Sequence, residues 1–173
     1  MRQRINKTLI LLLFIGFCGL SAAAAVAESP RRIISTNLAC DEILWDLLGP
    51  NDRPRLVAVS DLARNPQYSN IWQEKELPQS TGSDRETIVS LKGDLVCLAA
   101  FNRPEILKIY ASINIKTLTL GKFDSIDDIA TNIQRIGDAI DRSDRAKAML
   151  SELMTHIANK PQARKPGVLN FSA

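Results

Sequence analysis

"RRIISTNLACDEILWDLLG", residues 31–49, decides the first unit of the fold. Ile33–Ser35 is a short apolar run, and Thr36 and Asn37 break it. From Cys40 to Leu48 the apolar residues Ile43, Leu44, Leu47 and Leu48 fall on one face of a helix that Gly49 closes. Asp41 and Glu42 suit the positive end of that helix. Strand, loop and helix in this order point to a doubly wound α/β domain, where ligands gather at the loops leaving the carboxyl ends of the strands. Loops that hold phosphate there are rich in glycine, because the backbone must approach the anion closely. This loop has no glycine and offers Asn37, Leu38, Ala39, Cys40 and Asp41 instead.

The same rhythm continues. Strand-like runs recur at Leu56–Ser60, Asp94–Ala100 and Lys116–Leu120, with helical segments at Arg85–Lys92 and Pro104–Ser112 between them. Alternation at this spacing predicts an α/β fold with a mostly parallel sheet, right-handed connections and both faces covered. Residues 61–83 depart from it: polar, with two prolines, and carrying Tyr68 and Trp72. Two readings stand open for this segment, a binding element or a surface cover whose Ile71 and Trp72 pack on the sheet edge.

After Leu120 the period changes. Ser125 and Asp128 form a capping arrangement, and Ile126, Ile129, Ile133, Ile136 and Ile140 follow as one stripe. Asp138 before Arg142 and Asp141 before Arg145 add pairs one turn apart. Leu150, Leu153 and Ile157 carry the stripe towards Lys160, with a possible break near Ser143. Unbroken, the helix from Ser125 to Lys160 would span roughly 50 Å, longer than its own sheet, as a spine between two bodies would be. Residues 161–166 read as a polar linker, and "GVLNFSA" (167–173) begins another buried strand. A lone strand is not stable by itself, so a second body is expected there.

The first 27 residues are set apart. Arg2, Arg4 and Lys7 precede an apolar run from Leu9 to Leu20, and Ala25-Val26-Ala27 gives a small-residue cleavage site. This is the pattern of a secretory signal peptide, against the alternatives of an uncleaved anchor or lipid attachment at Cys18, which follows a bulky Phe17. The chain has 22 basic and 19 acidic residues, and the three basic residues of the leader account for the formal +3. The remainder is neutral and has no electrostatic footprint for nucleic acid. Cys40 and Cys97 remain, read as two small buried thiols, with a disulfide as the alternative in an oxidising compartment.

Enzyme signatures are missing. The sequence has no GxGxxG, no GxxxxGK[ST] and no GxSxG. Its one histidine, His156, lies late in the long helix, with no partner set for metal capture or for activating Cys40. No cofactor or metal is expected.

"RIISTNLACDEILWDLLG", "LVAVSDLARNPQYSNI", "LPQSTGSDRETIVSLKGDLVCLA" and "SIDDIATNIQRIGDAIDRSDRAKAMLSEL" together resemble the helical-backbone periplasmic binding proteins, which serve ABC importers of ferric siderophores, haem and cobalamin. The resemblance covers residues 31–173, and the order of the pieces is its most specific part. It implies a parallel-sheet Rossmann-like lobe (28–122), an interlobe helix (123–160), and the linker and first strand of a second lobe that breaks off (161–173). It also implies a ligand held in the cleft between lobes, a membrane permease as partner and a periplasmic location. The loop Thr36, Asn37, Leu38, Ala39 and Cys40 would floor the ligand site, with Asp61, Leu62, Ser80, Thr81 and Ala99 to Asn102, including Phe101, on the rim. Glu86 matches the glutamate that docks onto the permease; as an acid at a helix start it also complements the dipole. Cobalamin binders of this family carry aromatics where this chain has Leu62, Ser80 and Ala99. The implied function is capture of an iron chelate or cobalamin-like ligand. The alternatives are a small secreted α/β hydrolase using Asp41, Asp61 or Glu86 as acid or base, and a remnant that folds without binding.

Overall fold

The computed structural model describes residues 28–82, 84–99, 104–113 and 115–159, the side chains at 104 and 106 excepted. The leader, Phe101, Asn102 and the segment 161–173 lie outside the described residues. Five strands form one sheet in the order β3-β2-β1-β4-β5, every pair parallel: β1 (Ile33–Ser35), β2 (Leu56–Val59), β3 (Gln79–Ser80), β4 (Leu95–Ala99) and β5 (Lys116–Leu120). The helices are α1 (Leu38–Asp52), α2 (Arg85–Ser90), α3 (Pro104–Ser112), α4 (Ile126–Ala139) and α5 (Ser143–Asn159).

Helices cover both faces of the sheet, and the alternation of side chains along each strand sorts the core into two layers. Ile33, Leu95, Cys97 and Leu120 pack with Leu44, Leu47 and Leu48 of α1 and Ile133 and Ile136 of α4. Ile34, Val96 and Leu98 face the other way, onto Ile88, Leu91 and Tyr110. The three residues of β1 are fully buried because it is the central strand, paired with β2 on one side and β4 on the other.

The second helical half differs from a single spine. The chain stops at Ile140, turns through Asp141 in the left-handed region (φ 61°), and restarts at Ser143. The Arg142 N–H donates to Gly137 O at 2.7 Å, the six-to-one bond of a Schellman stop. Arg142 then pairs with Asp52 at the end of α1, which holds the turn against the lobe. The two helices close on each other at Gly137, where an added Cβ would lie 2.5 Å from the Ala146 Cβ. The expected helix from Ser125 to Lys160 is therefore two helices, with the break at the flagged position. Met149, Leu150 and Leu153 of α5 still pack on the first core layer.

Residues 61–82 hold one short strand. A 3-10 turn (Asp61–Arg64) leads into turns, and Ile71 is buried in the core while Trp72 stays 41% exposed. Only Ile71 of the expected pair packs down. The segment ends in β3, too short to show as a period in the sequence.

Candidate functional site at the carboxyl edge of the sheet

Strand order marks where a candidate site would lie. From β1 the chain moves outwards through β2 to β3, then crosses to β4 and β5 on the other side. The reversal point lies between β1 and β4, where open α/β sheets hold their ligands. The Thr36 N–H and hydroxyl both donate to Cys97 O, at 3.2 and 3.1 Å, so the first loop is tied to β4 at that point.

Asn37 caps α1. Its Oδ1 accepts from Cys40 N–H at 3.1 Å and its Nδ2 donates to Cys40 Sγ at 2.9 Å. Its side chain is thereby committed to shaping the loop. Thr36, Asn37, Leu38 and Ala39, expected as the floor, are partly exposed. Cys40 is not: it is fully buried beneath them, in the core layer. Asp61, Leu62 and Ser80 are exposed along the same edge, Leu62 at 45%. Thr81 is buried, its N–H donating to Val59 O at 2.7 Å and its hydroxyl to Gly82 O. Cys40 and Thr81, expected at the surface of the site, are thus buried, because helix capping and edge pairing turn them inwards.

A buried carboxylate joins the floor loop to the rim. Asp41 is wholly inaccessible and accepts from the Ser60 N–H at 3.0 Å and the Ser60 hydroxyl at 2.5 Å. The nearby Ser35 hydroxyl donates to Asn37 O at 3.2 Å. Burial pushes the Asp41 carboxyl above its ordinary value, against the pull of the Ser60 hydrogen bonds. Sequence reasoning took Asp41 for a helix-start acid or a general acid; the Ser60 partnership joins positions far apart in the chain, and no local pattern announces it. Asp41 is sealed beneath Ser60, away from the surface.

The long loop is clamped to the same edge. Glu42 of α1 accepts from Asn70 N–H at 2.7 Å and from the Asn70 amide at 3.1 Å. Tyr68, two residues before that clamp, is 62% exposed. Glu86 is exposed in the first turn of α2, behind the Asp84 cap, whose carboxylate accepts from Thr87 N–H at 2.9 Å. Arg85, Glu86, Val89 and Ser90 line a shallow groove of about 340 Å³, with Val89 47% exposed. Among the described residues no group of three or more His, Cys, Asp or Glu side chains converges as a metal site.

No protein-family model and no curated protein matches the chain. Solved structures do. The periplasmic haem-binding protein HutB of Vibrio cholerae aligns with a TM-score of 0.62 and 19% identity, over 78% of this chain and 52% of that one. A periplasmic haem-binding protein from Pseudomonas aeruginosa gives 0.61 and 20%, over 75% and 45%. The periplasmic vitamin B12-binding protein BtuF of Vibrio cholerae gives 0.58 and 22%, over 75% and 49%. The chain spans about half the length of the solved structures it matches. Its fold is that of one α/β lobe of the periplasmic haem-, iron- and B12-binding proteins of ABC importers.

Proposed function

We propose that the chain is the exported substrate-binding component of an ABC importer, which captures an iron chelate or a haem- or cobalamin-like ligand and delivers it to a membrane permease. The observation that supports this reading most is the wall at the carboxyl edge. The reversal point of the sheet carries a glycine-free floor, Thr36 to Ala39, pinned by backbone bonds and flanked by exposed Leu62, Asp61 and Ser80. A phosphate site needs converging N–H groups and close backbone approach, whereas a large chelate or macrocycle needs a broad surface of apolar and hydrogen-bonding groups. The mechanism is binding and docking. The wall is held by Asp41 and Thr36, so it meets the ligand in a fixed shape and little ordering entropy is lost on binding. Glu86 with the Val89 surface beside it is the docking point for the permease, and the helix pair α4–α5 the link to a second lobe.

The test is an absorbance titration with cyanocobalamin, haemin and a ferric hydroxamate, on the wild type and on Leu62→Glu. One ligand is expected to bind saturably, and Leu62→Glu to weaken it about tenfold, since it places a charge where apolar surface is covered. Saturable binding of none of the three, or binding that ignores Leu62→Glu, contradicts the assignment. Glu86→Lys separates docking from capture: binding stays unchanged while uptake by cells is lost.

A further inference from the structure

Cys40 and Cys97 line no exposed surface, and both lie in the core layer beneath the loop that follows β1. Cys97 is the middle residue of β4, paired with Ser35 of β1, and Cys40 is the third residue of α1. Both are wholly buried in the same apolar layer and both thiols are free, and after burial the neighbouring Cys40 helps hold Cys97 in its thiol form. Their backbones are tied together independently of the sulfurs. Thr36 donates twice to the Cys97 carbonyl, and Asn37, the next residue, holds the Cys40 N–H. Side chains on a helix lean towards its N-terminus, which aims the Cys40 thiol back at the strand end.

We propose that Cys40 and Cys97 are a disulfide-forming pair that closes across the β1/β4 reversal point as the chain folds, fastening the floor loop of the wall to the sheet. The step removes one proton and one electron from each thiol and forms one S–S bond. The acceptor is the disulfide of a thiol oxidoreductase of the export compartment, or oxidised glutathione in vitro, which is cleaved to two thiols. Timing follows from burial. In the folded chain both sulfurs are wholly buried, out of reach of an oxidant, and packing away from water keeps Cys97 as a thiol, so the folded reduced pair is inert. Closure therefore precedes the docking of α1 on the sheet. The cellular part of this inference rests on the export reading; the pairing itself does not.

The experiment uses the full chain with Cys18→Ser, so that the leader contributes no thiol. The protein is denatured, reduced, refolded in a glutathione redox buffer, then unfolded in N-ethylmaleimide and weighed. The expected product is unlabelled and about 2 Da lighter than the reduced chain, with the peptide holding Cys40 linked to the peptide holding Cys97. Its thermal midpoint should lie on the order of 10 °C above that of the same chain refolded in reductant. Two maleimide labels, or separate glutathione adducts on each cysteine, overturn the proposal. A chain that bridges on refolding but carries two free thiols when taken from cells supports the pairing and counts against export instead.

Discussion

Asp41 offers the sharpest test of how the wall is built. Asp41→Ala leaves the Ser60 N–H and hydroxyl without their acceptor, in a residue that is 6% exposed. A buried N–H left unpaired costs about 1–3 kcal/mol, and the Ser60 hydroxyl adds about 1. The Ser35 hydroxyl keeps its bond to Asn37 O at 3.2 Å. Relief of a buried charge offsets part of this, so the net loss is about 2–4 kcal/mol. Asp41→Asn keeps an oxygen for the Ser60 N–H and should lose only about 1 kcal/mol. Urea unfolding followed by tryptophan fluorescence and circular dichroism measures both. The pH dependence gives a second reading. The folded carboxyl titrates above the ordinary 3.8 because burial disfavours the charge. Between 3.8 and the raised value the native state binds more protons than the unfolded one, so this group's contribution falls as pH rises through that window. Asp41→Asn has no such titration. The wild-type lead over it should be widest below pH 3.8 and narrower at neutral pH. An Asp41→Ala variant as stable as the wild type, or a lead that widens with pH, refutes the reasoning.

The other predictions concern the loop and the helix break. Asn37→Ala removes the cap of α1 and should lower stability by about 1 kcal/mol, with Asn37→Ser recovering most of it in the same urea assay. Asp141→Gly relieves a left-handed backbone at φ 61° and should raise stability by about 1 kcal/mol, read as a higher thermal midpoint. Gly137→Val drives a side chain into Ala146, whose Cβ lies 2.5 Å from the new Cβ, and should lower stability by about 2–3 kcal/mol despite removing a helical glycine.

The elements that were legible in the sequence are those with a strong local period. β5 and α3 agree with the expected bounds, and β1 with its loop and helix follows from the pattern of residues 33–49. The edge strand Gln79–Ser80 was not legible, since two exposed polar residues carry no alternation. The helix break was only half legible. From Ile140 to Leu150 is ten residues, about 80° off a stripe of 3.6 residues per turn, so the two apolar faces are out of phase. The acid-before-base pairs across the break spoke for continuity, yet Arg142 turns to Asp52 instead of Asp138. Of the residues expected around the site, Asp61, Leu62 and Ser80 are exposed, while Cys40 and Thr81 are buried. Their inward turn depends on capping and on edge pairing, which are tertiary facts. The Asp41–Ser60 link had no sequence signal at all.

The central claim is that the carboxyl edge of the sheet is the ligand wall. Hydrogen-exchange mass spectrometry on the chain with and without cyanocobalamin, haemin or a ferric hydroxamate tests it most directly. The account predicts slower exchange at residues 36–40, 60–62 and 79–81 with the ligand that binds, and no change at the opposite edge around Glu28–Arg31 and Lys116. Protection confined to that opposite edge, where the described surface has its groove of about 460 Å³, would contradict it.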